Sequence, residues 1–319
     1  MNTNKKINLG YACINTELSE PVKKGRTIIR ESIMTNRSMI LKTFKQKGLS
    51  YASELALQNC QDLKKILVWN TNNGINFFRM SSEIFPWASE YYFDDLPDWK
   101  AIHATLRDIG DYATKTGQRL TFHPGPFNKL TSNDPKVLNN TIKDLEVHAK
   151  IMDYMGLSKT PYNKINIHVG AHYNNKKQAL SNFCFNFDKL SPSVRSRLTV
   201  ENDDKASLYS TKELYDHVWS SIGIPIVHDL HHHLFCTGGI SNEQALELAT
   251  KTWGNIKPVV HYSQSRAEEH KDPKLKANAH SDSYWTPVEI YGQDVDVMLE
   301  CKHKEKGLFK MRELLGETK

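Results

Sequence analysis

The 319-residue sequence predicts an α/β fold, a single (β/α)₈ barrel spanning residues 1–319. Two observations support this prediction: about eight short β-prone runs recur along the chain, and segments with helical spacing of apolar residues separate them. Strands that alternate with helices form parallel sheets, and about eight such units close into a barrel. No linker, low-complexity tract or change of composition indicates a second domain.

The predicted strands are short runs rich in β-branched and aromatic residues. In chain order they are residues 6–11 (KINLGY), 75–80 (INFFRM), 119–123 (RLTFH), 164–169 (KINIHV), 197–201 (RLTVE), 224–229 (IPIVHD), 257–262 (KPVVHY) and 294–300 (DVDVMLE). Residues 263–290, after the seventh run, are predicted to form a long polar loop because no helical spacing is visible there.

Helices are predicted from apolar spacing and from capping residues. Ala56, Cys60, Leu63 and Leu67 are spaced as on one helical face, and Gly74 follows as a stop. A second helix begins at Asp134-Pro135 and ends at Gly156, with proline at its start and glycine at its end. Capping boxes are predicted at two further helix starts, Ser210 with Glu213 and Ser241 with Gln244.

The composition is typical of a globular protein, with 39% hydrophobic and 24% charged residues. A formal net charge of +6 fits a polyanionic partner. The five cysteines are scattered without a C-x-x-C pair, so neither a disulfide framework nor a thiolate zinc site is predicted. No signal-peptide core or long apolar span is visible. We therefore expect a soluble intracellular monomer, cytoplasmic or nuclear depending on the host, with no membrane partner and not secreted.

Possible ligands follow almost every predicted strand, and the catalytic face of a barrel lies at these C-terminal ends. The stretch HDLHHHL, which begins at His228, has four histidines and an aspartate in seven residues. In it we expect Asp229 and His232 to be ligands, and His228, His231 and His233 to be structural or solvent-facing. The whole series is Tyr11, Cys13, Asn15, Arg79, Glu83, His123, His168, Glu201, Asp229, His232, His261 and Glu300.

Imidazoles and carboxylates that share one small space require cations, because an unpaired buried charge costs several kcal/mol. The ligand set is nitrogen and oxygen without sulfur, which suits Zn²⁺, Mn²⁺, Co²⁺ or Fe²⁺. Carboxylates able to bridge favour a cluster of two or three ions. Such clusters activate water and stabilise the departing oxygen of a phosphodiester, so the series predicts hydrolysis of a nucleic-acid backbone.

The motifs resemble those of the UV damage endonuclease family, metal-dependent repair nucleases on a TIM barrel related in shape to endonuclease IV. From residue 9 to about residue 307, and in the family's order, they are LGYACIN, FFRMSSEIFPWAS, LTFHPGPF, IHVGAHY, LTVENDD, VHDLHHH, VHYSQ, AHSD and DVMLECKHKEKG. The resemblance implies damaged double-stranded DNA as partner, Mn²⁺ as the expected ion, and nicking immediately 5′ to cyclobutane dimers and 6-4 photoproducts, with abasic sites as further candidates. The cut is expected to leave a free 3′-hydroxyl.

Carried over by position, the resemblance implies metal ligands at His123, His168, Glu201, Asp229, His232, His261, His280 and Glu300. Among these, Glu201, Asp229, His261 and Glu300 are the expected catalytic group. Tyr11 and Asn15 are expected to line the lesion pocket. Lys302 and Lys304 are candidates for phosphate contacts. Arg79 could reach a phosphate or pair with an acidic ligand, and the sequence leaves both open.

Three positions depart from the family pattern. Glu83 stands where some relatives have a histidine ligand, and it remains a weaker candidate ligand. Pro126 replaces a glutamine at the position that enters the duplex; with Phe127 it keeps an apolar wedge, but lesion preference is left open. Val259 replaces a lysine that is carboxylated in some members, and Lys257 on the same strand is a possible substitute.

Two other classes of protein fit the same ligands. A metal-dependent sugar isomerase on a similar barrel also collects histidines and carboxylates at its strand ends. A module that recognises distorted DNA without cutting it would fit if Pro126 or Val259 had disabled the chemistry.

Overall fold

A computed structural model describes residues 7–25 and 27–317. Ten strands are present in this part of the chain: β1 Asn8–Ala12, β2 Val22–Lys24, β3 Thr27–Arg30, β4 Phe77–Arg79, β5 Arg119–Thr121, β6 Ile165–His168, β7 Leu198–Glu201, β8 Ile226–Asp229, β9 Val259–Tyr262 and β10 Asp296–Leu299. Eight of them form one parallel sheet in the order β5-β4-β1-β10-β9-β8-β7-β6. A parallel bridge between Phe122 and Ile165 joins the two ends of the sheet and closes the barrel. The predicted (β/α)₈ fold is confirmed, and each predicted run overlaps one barrel strand.

In the described chain, each barrel strand is followed by at least one helix. The helices are α1 Thr16–Ser19, α2 Leu41–Asn72, α3 Trp99–Thr116, α4 Pro135–Met155, α5 Lys176–Phe187, α6 Pro192–Arg195, α7 Thr211–Leu214, α8 Ser220–Ile222, α9 Asn242–Lys251, α10 Arg266–His270 and α11 Lys304–Leu314. A π-helical segment, Tyr215–Trp219, connects α7 to α8. Four short 3₁₀ helices are Ala88–Glu90, Phe93–Asp95, Pro161–Asn163 and His232–Leu234.

The predicted capping residues set the helix ends. Asp134 accepts hydrogen bonds from the first backbone N–H groups of α4, and Gly156 ends that helix in the left-handed conformation that glycine adopts without strain. Both predicted capping boxes are formed, at the starts of α7 and α9.

Two local features differ from the prediction. β2 and β3 form an antiparallel two-stranded sheet, whereas no strands were predicted in this segment. The segment 263–290 is largely irregular, as predicted, but contains the short helix α10.

The N-terminal end of the barrel is held by a buried ion pair. Arg119 Nη1 lies 2.9 Å from Asp296 Oδ2, and both side chains are buried. The other guanidinium donors of Arg119 reach backbone carbonyls of Pro161, Tyr162 and Lys257. This network lies at the end of the strands opposite to the predicted site.

Among the helices of residues 7–25 and 27–317, none combines the length and apolar character that crossing a bilayer requires.

Candidate metal centre

The parallel register brings the predicted ligands to one end of the barrel. His168 is paired with Glu201 across β6 and β7, and Asp229 is paired with His261 across β8 and β9. His123 follows β5. The remaining ligands, His232, His280 and Glu300, lie in segments that follow β8, β9 and β10. Residues from distant parts of the sequence therefore meet at a single mouth.

Glu201 lies at the centre of this cluster and is fully buried. Its Oε2 is 3.0 Å from His123 Nε2 and 3.9 Å from His168 Nε2. Its Oε1 is 3.1 Å from His261 Nδ1 and 3.5 Å from His232 Nδ1. One carboxylate thus faces four imidazoles that come from four different parts of the barrel.

Asp229, His261 and Glu300 form the other side of the cluster. His261 Nδ1 is 3.3 Å from Glu300 Oε1, and His232 Nε2 is 3.8 Å from Asp229 Oδ2. Arg79 forms an ion pair with Glu300. Of the two roles that the sequence left open for Arg79, the structure shows pairing with an acidic candidate ligand.

Three overlapping groups of ligand atoms result, each with its atoms within 4.8 Å of one another. They are His123, His168 and Glu201; Glu201, Asp229 and His232; and Asp229, His261 and Glu300. Glu201 and Asp229 each belong to two of these groups, so each carboxylate could contribute to holding more than one cation.

Orphaned buried atoms show that these residues fit divalent cations. Glu201 Oε1, Asp229 Oδ2 and His261 Nδ1 are buried without a hydrogen-bond partner. Leaving such polar atoms unpaired is costly, and carboxylate oxygens and imidazole nitrogens are ligands for Mn²⁺ and Zn²⁺.

The electrostatics of the cluster move the pKa values of its histidines in opposite directions. Burial lowers the pKa of His123 to about 4, against the opposing effect of Glu201. Burial also acts to lower the pKa of His168, but the carboxylates of Glu201, Asp203 and Asp229 outweigh it and raise this pKa to about 10. Burial opposes ionisation of Glu201, yet the surrounding histidines hold its pKa well below the usual range. The carboxylate is therefore ionised at neutral pH, as a metal ligand must be.

Several residues that support the ligands were missed from the sequence. Asp203 Oδ1 lies 3.2 Å from His168 Nδ1, an arrangement that orients a metal-binding imidazole. Asn166 donates to Glu201, and Asn202 accepts a hydrogen bond from the backbone N–H of Asp229 at 2.7 Å. Asn202 and Asp203 lie in the LTVENDD motif, so their place directly after Glu201 could have identified them.

The lysine that reaches the cluster is Lys164, which was not predicted. Its side chain is fully buried in the barrel, and its Nζ lies 3.1 Å from His261 Nε2. Burial lowers the pKa of Lys164 to about 7. Lys257 is instead paired with Asp294 and Asp296 at the other end of the strands, so the structure does not place it as a substitute for a lysine at Val259.

Three predicted site residues do not face the cluster. Tyr11 and Asn15 are fully buried. The Tyr11 hydroxyl donates to Asn70 at 2.7 Å and accepts from Asn15 at 3.0 Å, so neither side chain lines an open pocket in this structure. Glu83 is exposed and belongs to none of the groups of ligand atoms found in the described chain.

The cluster opens into a cleft of about 500 Å³. Pro126 and Lys129 line it together with six of the eight predicted ligands, all except Asp229 and His261, and Phe127, which follows Pro126 in the chain, is 86% exposed. His280 lies with its Nδ1 3.0 Å from the Glu300 backbone oxygen, within hydrogen-bonding distance. An exposed aromatic ring therefore follows a residue that lines the cleft, in the segment where the wedge was predicted.

The two candidate phosphate-binding lysines lie beyond Glu300. Lys302 is exposed and its Nζ is 3.5 Å from Asp282, and Lys304 begins α11. Asp282 also belongs to a surface group of ligand atoms with Glu269 and His270. The backbone N–H groups of Asp282 and Ser283 donate to the carboxylate of Glu269, and Arg266 is ion-paired with Asp282. These partners account for the charges of the group without a metal ion.

A closed (β/α)₈ barrel with histidines and carboxylates converging at its C-terminal mouth defines a class of barrel proteins with a candidate multinuclear metal centre. Comparison with known sequences is more specific: residues 7–319 match the model of the UV-endonuclease UvdE family. The chain belongs to this family.

Relatives of the chain come from fungi, viruses and bacteria. It is 34% identical over 316 residues to a UV-damage endonuclease of Schizosaccharomyces pombe, covering 95% of this chain and 50% of that protein. It is 31% identical to a putative UV-damage endonuclease of Acanthamoeba polyphaga mimivirus, covering 96% and 90%. A UV DNA damage endonuclease of Clostridium perfringens is 33% identical, with 98% and 71% covered. The chain thus spans about half the length of the S. pombe relative.

Solved structures agree with the fold. The crystal structure of SacUVDE matches with a TM-score of 0.81 and 29% identity, over 98% of this chain and 99% of that one. Endonuclease IV from Thermus thermophilus matches with a TM-score of 0.52 and 13% identity, over 80% and 95%, which shows a shared fold.

Proposed function

We propose that this protein is a metal-dependent endodeoxyribonuclease of DNA repair that hydrolyses the phosphodiester immediately 5′ to UV photoproducts in double-stranded DNA. Cyclobutane dimers and 6-4 photoproducts are the proposed substrates, and abasic sites are a further candidate. The cut leaves a free 3′-hydroxyl.

The observation that carries this proposal is the place of Glu201. Its two oxygens face histidines from both sides of the cluster, and the cluster opens into a cleft lined by Pro126, which the exposed Phe127 follows in the chain. A metal-dependent nuclease needs charged metal ligands at a site that a DNA strand can reach, and this cluster and its cleft meet both requirements. The names of the relatives support the same activity.

We propose that the protein binds two or three divalent ions, with Mn²⁺ as the preferred ion. The proposed ligands are the eight residues carried over by resemblance, without the weaker candidate Glu83. When bound, such ions supply activated water at neutral pH and offset the negative charge that develops on the departing oxygen. Glu201 and Asp229 would each help to hold more than one ion, because each belongs to two groups of ligand atoms, and Arg79 is the cation that keeps Glu300 ionised.

Damaged bases stacked in a duplex cannot reach a centre at the bottom of a cleft, so they must be extruded. Pro126 and Phe127 are the proposed wedge, because apolar side chains that enter a base step unstack it. Lys302 and Lys304 are proposed to contact phosphates, which positions the strand without reading its sequence.

The test uses purified protein, Mn²⁺ and an end-labelled duplex with one thymine dimer. We expect a single nick 5′ to the dimer, and no nick in EDTA. Retention of the damaged duplex without a cut would instead support a binding module, and indifference to DNA would support a sugar-modifying enzyme on the same fold. An undamaged duplex of the same sequence is the control.

A further inference from the structure

The two-stranded sheet of β2 (Val22–Lys24) and β3 (Thr27–Arg30) is a feature that neither the fold nor the metal centre explains. We call it the ribbon. It lies in the connection that follows β1, so it projects from the same end of the barrel as the metal centre. An isolated pair of strands is marginally stable in water, so its position needs an anchor.

Arg30 provides that anchor. Its Nη1 donates to the backbone oxygen of Leu18 at 2.9 Å, and its Nη2 donates to those of Glu17 at 3.2 Å and Glu20 at 3.1 Å. These carbonyls belong to α1 and its C-terminal cap, where a cation is favoured. The base of the ribbon is therefore fixed, while the strands extend from it.

The ribbon exposes apolar and basic side chains together. Val22 is 40%, Ile28 46% and Ile29 61% exposed. Lys23 is opposite Ile28 and Lys24 is opposite Thr27, so a lysine lies on each face of the ribbon. Within residues 7–25 and 27–317 neither lysine has an ion-pair partner.

The positive charge of this segment indicates a negatively charged partner. The sequence PVKKGRTIIR, residues 21–30, contains four cationic residues and no acidic one. Lysines often protect exposed sheet edges against aggregation, but that role does not require neighbouring exposed isoleucines. A polyanion with apolar surface in a groove matches both features, and a two-stranded ribbon is narrow enough to enter the major groove of DNA.

We propose that the ribbon binds the DNA duplex beside the metal centre, with Lys23 and Lys24 on phosphates and Ile28 and Ile29 against the groove. This inference rests on the proposed function, since it assigns a second contact with the same substrate. It differs from the wedge at Phe127, because the ribbon holds intact duplex and does not enter the base stack.

The experiment measures how binding of a dimer-containing duplex depends on salt, in the Glu201→Gln background so that the DNA stays uncut. Each lost phosphate contact reduces the slope of log affinity against log salt by about 0.9. We expect Lys23→Gln/Lys24→Gln to reduce the slope by about 1.8 and to weaken binding roughly 60-fold at 0.1 M salt. Lys115→Gln/Lys159→Gln is the matched control, because both lysines are exposed near the opposite end of the barrel.

A second variant tests the apolar contact. Ile28→Ser/Ile29→Ser should weaken binding and leave the slope unchanged, because no charge is lost. An unchanged slope in the lysine variant, or an equal loss in the control, would overturn the proposal. If the wild-type protein still nicks the dimer duplex in that case, only the ribbon proposal fails; if it neither binds nor nicks DNA, the proposed function fails as well.

Discussion

The guanidinium of Arg79, at the end of β4, is ion-paired with the carboxylate of Glu300, which follows β10. Burial acts to raise the pKa of Glu300, but Arg79 first and His261 next hold it well below its usual range. The pair thus keeps a candidate ligand ionised in a place where burial would otherwise favour its neutral form.

Replacing Arg79 with methionine should therefore raise the pKa of Glu300, since burial remains and the opposing cation is gone. The acid limb of the kcat/KM profile at fixed Mn²⁺ should therefore move to higher pH. The sign follows from the depressed pKa of Glu300: the ionised ligand is lost as pH falls through this pKa, so a raised pKa moves the loss of activity to higher pH. Arg107→Met, at an exposed pair with Asp111, is the control, and an unmoved acid limb in R79M would contradict the assignment.

Asp203 should act through His168. Asp203→Asn keeps the shape of the side chain but removes the charge that helps raise the pKa of His168 and that orients its ring. Loss of such a supporting partner typically weakens metal affinity or activity by about 10–100-fold. Equilibrium dialysis with Mn²⁺ gives the affinity, and Asp216→Asn, an exposed partner of Lys212, serves as the control. Equal affinities of D203N and D216N would show that Asp203 has no such role.

Phe127 should contribute to cleavage of damaged DNA and not to the stability of the fold. Because its ring is 86% exposed, Phe127→Ala is expected to change the free energy of unfolding by less than about 0.5 kcal/mol. Cleavage of the dimer duplex should fall about 10-fold, the equivalent of roughly 1.4 kcal/mol. Phe185→Ala, at a ring 69% exposed on α5, should leave cleavage unchanged. Full activity of F127A would remove Phe127 from the wedge.

The ion pair of Arg119 with Asp296 should stabilise the barrel without affecting chemistry. Asp296→Asn leaves a buried guanidinium without its counter-charge, which costs about 3–5 kcal/mol. Urea unfolding measures this loss, while the kcat of the folded fraction should be unchanged because the pair lies at the opposite end of the strands. Asp294→Asn, 54% exposed, should cost less than about 1 kcal/mol. A large fall in kcat for D296N with little loss of stability would contradict a purely structural role for this ion pair.

The sequence predicts the barrel and most of the ligand cluster because strand ends and caps are local features. The eight runs and the two capping boxes are readable within a few residues, and parallel strands necessarily bring their C-terminal ends together. His168 and Glu201 end consecutive strands of the barrel, and the structure pairs them across β6 and β7.

What the sequence did not predict depends on contacts between distant segments. Tyr11 is buried in the core, where its hydroxyl donates to Asn70 in α2, and no local pattern indicates that pairing. Lys164 directly precedes β6, where a lysine is normally exposed, and only the closed barrel turns it toward His261. The ribbon was a different kind of omission, since Gly25 between two β-prone runs is a recognisable hairpin pattern.

The most direct test of the account is the number of Mn²⁺ ions that the protein binds, measured by metal analysis after equilibrium dialysis. The wild-type chain should hold two or three ions, and Glu201→Gln should hold at least one fewer, because Glu201 belongs to two of the three groups of ligand atoms. A wild-type protein that binds no Mn²⁺, or a Glu201→Gln variant that binds as many ions as the wild type, would contradict the proposed metal centre.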